Sequence, residues 1–292
     1  MRVSLAGWLF AAPALVIIAV FFFLPVLGAL ALSLTDFDLY ALADLRNLRF
    51  VGLDNYWQLM QSRDFWRALA NTSYFVALGV PLSLLASLGA ALLVHSRLTR
   101  WPALFRTAFF APVVTTLVAV ALVWRYLLHT RYGLLNWALG ALGVHPVDWL
   151  GDPRWAMPAI ILFAVWKNFG FNMIIFIAAL QAIPQDLYEA ARLDGAGPWQ
   201  EFSRVTLPTL RPTMALVAIL TVAGYFQLFA EPYVITEGGP LQSTVSVLYL
   251  MYEEGFKWWN LGGASAIAFL LFGVVVSVTA LQMRVLRRIE AP

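Results

Sequence analysis

Two groups of side chains in this 292-residue sequence sit where polar chemistry is expensive. Trp166, Lys167, Asn168 and Asn172 fall inside one long apolar stretch, and Tyr225 and Gln227 fall inside another. Amides, hydroxyls and an ammonium in an apolar medium must hydrogen-bond to one another or face a polar cavity. They therefore predict either contacts between helices or the wall of a passage. Arg125, Lys167 and Glu231 are the charges in or beside such stretches, and they pair with each other, snorkel, or meet a charged solute. Other chemistries lack their residues. The chain has no cysteine, which removes thiolate nucleophiles, disulfides and thiolate metal sites. His95, His129 and His145 are scattered, without metal-ligand spacing. The two lysines, Lys167 before Asn168 and Lys257 before Trp258, do not fit a phosphate-binding loop, which needs a glycine-rich turn before the lysine and Ser or Thr after it. No nucleophile–base arrangement stands out, and the chain reads as a non-enzyme.

The elements that position these residues follow from composition. Apolar residues make up 61% of the chain and charged residues 12%, with a mean hydropathy of +0.77; soluble domains carry about 25% charged residues. So much apolar surface requires a bilayer as part of the solvent. That excludes a cytosolic enzyme, a nucleic-acid binder and a disordered chain, and a net charge of +3 is too small to argue for a polyanionic partner. Six stretches are long enough to span: about 9–34, 71–95, 103–128, 156–182, 210–235 and 263–286. The expected class is an all-α polytopic membrane protein, one transmembrane domain over residues 1–292. The run from Leu9 to Leu32 is too long for a secretory signal, whose apolar region is about 7–15 residues; it is a retained first helix, kinked at Pro25.

Placing both termini in the cytoplasm puts Arg2, Arg97, Arg100, Arg106, Arg192, Arg204, Arg211, Arg284, Arg287 and Arg288 inside. It leaves Arg46, Arg49, Arg63, Arg67, Arg131, Arg154 and Lys257 in longer outer segments. Residues 46–70, with Phe50, Tyr56, Trp57, Leu59, Phe65 and Trp66 among charges, predict an amphipathic helix at the outer interface. Trp101, Trp149, Trp155, Trp258 and Trp259 lie near span ends, as interfacial anchors do.

The segment 183–209, between the fourth and fifth spans, is the most informative. Pro184 and Asp186 suit a helix start, and Leu187, Ala190, Ala191 and Leu193 or Asp194 give a helical face that ends at Gly195, which can take a left-handed backbone. Pro198 starts a second short helix with Trp199, Phe202 and Val205 on one face, and Pro208 stops it. The product is a helix–turn–helix elbow with an apolar ridge, shaped to lodge in a groove of another protein.

This elbow resembles the signature loop of the membrane subunits of binding-protein-dependent ABC importers. That loop reads E-A-A-x-x-D-G-A, a spacer, then Phe, an aliphatic residue and Leu-Pro; here the positions are Glu189, Ala190, Ala191, Asp194, Gly195, Ala196, Phe202, Val205, Leu207 and Pro208. Further segments are similar to the family's sugar branch, the maltose- and glycerol-phosphate-type permeases. They are Val51–Tyr56, Trp166–Pro184, Tyr233–Thr244 with its Gly238-Gly239-Pro240 outer turn, Met251–Phe256 and Gly262–Ile267. Gln242 departs from the Asn that many relatives carry.

The resemblance implies a type I importer permease fold with six spans, and a place in a bacterial or archaeal inner or plasma membrane. It implies that the elbow is a coupling helix docking on an ATP-binding subunit, with Glu189 and Gly195 its most sensitive positions. It implies as partners a second permease, two ATP-binding subunits or domains that carry ATP and Mg, and an extracytoplasmic sugar-binding protein, with no cofactor in this chain and no nucleic acid. In register with the maltose-type permease, the substrate path falls on Lys167, Asn168, Phe171, Thr221, Gly224, Tyr225 and Leu228. Trp166, Asn168, Asn172, Tyr225 and Gln227 could stack on and hydrogen-bond to a saccharide or sugar phosphate. Interhelical packing is the competing reading for each of them. An ion-coupled secondary transporter of a small polar solute is the alternative, and it calls for charge pairs or broken helices in two repeated halves.

Overall fold

The computed structural model describes residues 5–96 and 99–290. Arg2 and Arg97, used above for orientation, lie outside the described residues, as do the side chains of Arg287 and Arg288. The described residues form helices joined by turns, with one isolated antiparallel bridge between Thr35 and Phe50. They pack as two compact units, residues 1–66 with 250–274, and residues 67–249 with 275–292.

In the first unit, α1 (Trp8–Ser33) is the first apolar span. It meets Pro25 with a π-helical turn, Ala19–Phe23, whose i→i−5 bond from Leu24 to Ala19 absorbs a register shift just before the proline. Beyond its C-terminus the chain folds back: Asn55 Nδ2 donates to the carbonyls of Ser33 and Thr35, both at 2.8 Å, and Tyr56 Oη donates to Ser33 Oγ at 2.8 Å. Helix α2 (Leu39–Ala43) is capped by Asp38. The Asp36 carboxylate accepts from the backbone N–H of Arg49 at 2.7 Å and from its Nε at 2.8 Å, which holds its pKa below the ordinary value. The single amphipathic helix expected over 46–70 is not one element. Helix α3 (Asp54–Gln61) ends where Ser62 turns extended, and from Arg63 the chain is already in α4 (Arg63–His95).

Two other expected spans differ from the sequence reading. The stretch 103–128 is not one helix but α5 (Pro102–Val114) and α6 (Leu117–Leu127), bent by 100° at extended Thr115 and Thr116. Helix α7 (Leu134–Ala141) follows in a loop organised by Asn136. Its Nδ2 donates to the carbonyls of Thr130 and Val147, and its Oδ1 accepts from Val147 N–H and Trp149 Nε1. That bond places Trp149 in loop packing.

Asp152 caps α8 (Pro153–Gln181), with Pro153 in the first turn where its missing N–H costs nothing. After α9 (Gln185–Leu193) comes α10 (Pro198–Tyr225), which runs straight through Pro208, so the proline expected to stop it does not. A π-helical turn at Phe202–Thr206 precedes Pro208 and re-registers the backbone, and the fifth span therefore begins twelve residues earlier than expected. It also ends earlier, at Tyr225; residues 226–229 are irregular before α11 (Ala230–Ile235). Helices α12 (Val247–Tyr252) and α13 (Leu261–Glu290) complete the chain. Apart from the bent pair, five described helices are long and apolar enough to span.

Candidate functional site

Both interruptions free backbone carbonyls, and at membrane depth each must find a donor. At the first, Lys167 reaches across from α8. Its Nζ donates to Pro112 O at 2.7 Å and Thr115 O at 3.1 Å, with Val113 O at 3.4 Å, and the residue is only 7% exposed. At the second, Ser246 Oγ donates to Leu228 O and accepts from Tyr249 N–H at 3.1 Å. Between Lys167 and Asn172, Gly170 lets α5 and α8 touch backbone to backbone, since a Cβ there would collide with Phe109 O.

A cleft of about 300 Å³ opens between α4, α8 and α10. From α8 it is lined by Asn168, Phe171 and Asn172, and from α10 by Thr221, Gly224 and Tyr225, followed by Gln227 and Leu228. Eight of the ten residues singled out for a passage thus share one cavity wall. The other two stand elsewhere: Lys167 is committed to the α5–α6 bend, and Trp166 packs among aromatic rings, 5.4 Å between centroids from Trp124. Phe75, Val113, Leu220 and Glu231 also line the cleft. Glu231 was marked as a charge near a span end, whereas Phe75 and Val113 look in sequence like any other span residue.

Polar groups around the cleft are aimed by their own helices. Asn168 Nδ2 donates to Ala164 O at 2.9 Å and Gln227 Nε2 to Ala223 O at 3.0 Å. Asn172 Nδ2 donates to Thr221 Oγ1 at 3.0 Å, and that hydroxyl donates on to Val217 O at 2.7 Å. Tyr225 is 6% exposed, its ring 4.9 Å from that of Phe75 and pressed onto Gly79, where a Cβ would lie 2.8 Å from a ring carbon. Among the described residues the buried hydroxyls of Tyr225 and Ser83 close no hydrogen bond of ordinary geometry, although Tyr225 is turned toward Ser83 and Asn168.

Below the cleft, Leu88, Val94, Met173, Phe176, Leu180, Leu210 and Val217 fill the space between the same three helices. At the end of α8 the chain enters the elbow. Helix α9 closes on Gly195 at φ +83, with Ala196 N–H bonding Ala191 O at 2.9 Å and Gly195 N–H bonding Arg192 O at 3.0 Å, a Schellman termination. Gly197 N–H then bonds Gln200 Oε1 at 3.0 Å as α10 begins. Arg192 grips Glu201 through two bonds of 2.9 and 3.1 Å, which holds the Glu201 carboxyl below its usual range. Tyr188 Oη and Thr206 Oγ1, 2.9 Å apart, tie the two limbs together. Glu189, Ala190, Asp194 and Gly195 are exposed, and Ala191, Ala196, Phe202, Leu207 and Pro208 are half-buried. Leu193 and Trp199 are 90% and 75% exposed, so the apolar ridge stands free.

Residues 56–291 match the family described as binding-protein-dependent transport system inner membrane component. The chain is 36% identical over 287 residues to the trehalose/maltose transport system permease protein of Thermococcus litoralis, covering 97% of this chain and 94% of that one. It is 33% identical over 282 residues to the sn-glycerol-3-phosphate transport system permease protein of Yersinia pestis, covering 96% and 94%. A crystal structure of a bacterial ABC transporter that imports alginate matches with a TM-score of 0.83 over 98% of this chain and 97% of that one, at 24% identity.

Proposed function

Because this chain belongs to the family of binding-protein-dependent transport system inner membrane components, we propose that it is one permease subunit of an ATP-driven sugar importer, supplying half of the translocation path. The observation that carries this reading is continuity. The helices that wall the cleft, α8 and α10, are the two helices that the elbow joins. A groove on an ATP-binding subunit that takes up Leu193 and Trp199 would hold both cleft walls from one end. In this reading the elbow faces the cytoplasm, Glu189 makes an ionic contact in the groove, and Gly195 shapes the turn.

ATP and Mg belong to the partner subunits. Closure of two ATP-binding subunits draws the elbows together and shifts the population from an inward-open to an outward-open path. An extracytoplasmic binding protein then delivers a sugar to that path, walled by this chain and a second permease. The trehalose/maltose relative supports a saccharide as cargo. An ion-coupled transporter calls for charge pairs or broken helices in two repeated halves, and the sequence shows no such repeat.

The test is co-purification from the native membrane in mild detergent, followed by uptake in liposomes. A second permease and a P-loop ATPase in stoichiometric yield, with ATP-dependent uptake, is the expected result. A chain that is recovered alone and carries sugar without ATP overturns the proposal.

A further inference from the structure

The cleft wall carries one carboxyl, Glu231, and the bend beside it holds one ammonium, Lys167. The fold brings them to the same level. Ala121 of α6, Phe163 of α8 and Ile235 of α11 meet in one apolar cluster. Residues four apart share a helix face. One turn from Ala121 is Leu117, the first residue of α6; one turn from Phe163 is Lys167; one turn from Ile235 is Glu231. The layer next to the cluster therefore holds the bend, the lysine and the acid. Val113 confirms the placement, since it lines the cleft with Glu231 while its carbonyl faces Lys167 Nζ.

An ammonium has three protons, and three carbonyls face this one. Carbonyl dipoles satisfy its hydrogen bonds and leave its charge unbalanced. Among the described residues no ion pair includes Lys167 or Glu231. The charge that each of them feels is the other's. An opposite charge nearby lowers the cost of keeping both away from water.

We propose that Glu231 is a positioning residue that acts through Lys167: its carboxylate balances the ammonium, which keeps the lysine on the bend carbonyls and Val113 in the cleft wall. Without the carboxylate, the lone ammonium recruits water to the bend, the carbonyls of 112–115 exchange lysine for solvent, and the wall loosens at Val113. This role is independent of the cargo and of the ATP-driven reading.

The natural chain has no cysteine, so Val113→Cys puts a single thiol on the wall. Its labelling by N-ethylmaleimide is followed on the full chain in native membranes. Glu231→Gln keeps the shape and removes the charge, and should speed labelling about fivefold or more. Glu231→Asp keeps the charge and should stay within about twofold of the parent. Lys167→Met should speed labelling as much as Glu231→Gln does, and adding Glu231→Gln to it should bring no further acceleration, because the partner is already gone. A thiol at buried Met173 instead should label no faster in any variant, which separates a loosened bend from a loosened bundle.

Parent-like labelling in Glu231→Gln overturns the proposal. So does Glu231→Asp as fast as Glu231→Gln, which assigns the effect to side-chain length, and so does equal acceleration at position 173. Factors that multiply in the double variant also overturn it, since Glu231 then acts on the cleft without the lysine. If Lys167→Met fails to reach the membrane, the comparison of Gln with Asp decides alone.

Discussion

The elbow and the cleft are made by opposite means. In the elbow, contacts that shape the turn are local: a Schellman pair within six residues, a side-chain cap three residues away, and one exposed ion pair nine residues apart. The cleft and the bend beside it are tied by groups 49 to 55 residues apart, Asn172 with Thr221 in the cleft and Lys167 with Pro112 at the bend, and both of these bonds are buried. A local turn in water costs little to distort and regains its hydrogen bonds from solvent. A buried polar group that loses its partner regains nothing. Substitutions that strand a buried polar group should therefore be judged by folding and assembly, and substitutions in the elbow by coupling with assembly intact.

The largest effect should come from Lys167→Met. It keeps length and removes the donor, leaving Thr115 O bare and Pro112 O with only the Thr115 hydroxyl. At about 1–3 kcal/mol for each unsatisfied buried carbonyl, the complex should lose about 3 kcal/mol and much of its thermal stability in detergent. Unchanged melting would show that water caps the bend instead. Next in size is Gly195→Val, a β-branched residue forced into the left-handed region at a cost of about 1–3 kcal/mol. ATP-dependent uptake should fall at least tenfold while ATPase activity and assembly persist, and Gly195→Asn, which tolerates that backbone, should keep most of the activity. Equal losses in both variants would assign the effect to the side chain, not the turn.

Gly79→Ala tests the cleft more gently. The added methyl displaces the Tyr225 ring and narrows the cavity, so uptake should drop several-fold with normal assembly. An unchanged uptake curve would make the Tyr225 ring a packing element. The smallest effect is a pH dependence at the elbow. Arg192 lowers the proton affinity of Glu201 in the folded state. The stabilisation is therefore fully present above the ordinary carboxylate value and disappears as pH falls through the lowered one. The protection of residues 192–201 against hydrogen exchange, taken relative to the intrinsic rate at each pH, should fall on acidification through that window in wild type but not in Glu201→Gln, and only modestly, because the pair is exposed.

The same contrast explains what the sequence made legible. Gly195, Pro184 and Pro198 announce the elbow because backbone rules act on neighbours. The amides and Tyr225 announced themselves as unusual for apolar spans, but the sequence left both packing and passage open, and only the tertiary structure brings them to one cavity wall. Lys167 drew the same attention, and only tertiary structure shows that its charge serves the bend at 115–116. Pro208 misled: a proline ends a regular helix, but the π-helical turn before it supplies the slack that lets the helix continue. Phe75 and Ser246 carried no signal, since what they do depends wholly on their neighbours across the fold.

That uninterrupted run from Pro198 to Tyr225 has a mechanical side. Its 28 residues make a rod of about 42 Å at about 1.5 Å per residue. Tilting such a rod by about 10° about its elbow end sweeps the far end, where Tyr225 sits, through about 7 Å by the same geometry. A small rotation at the turn is thus magnified into a displacement of several ångströms at the cleft. The π-helical turn at its base is the compliant joint that sets how much of the rotation arrives.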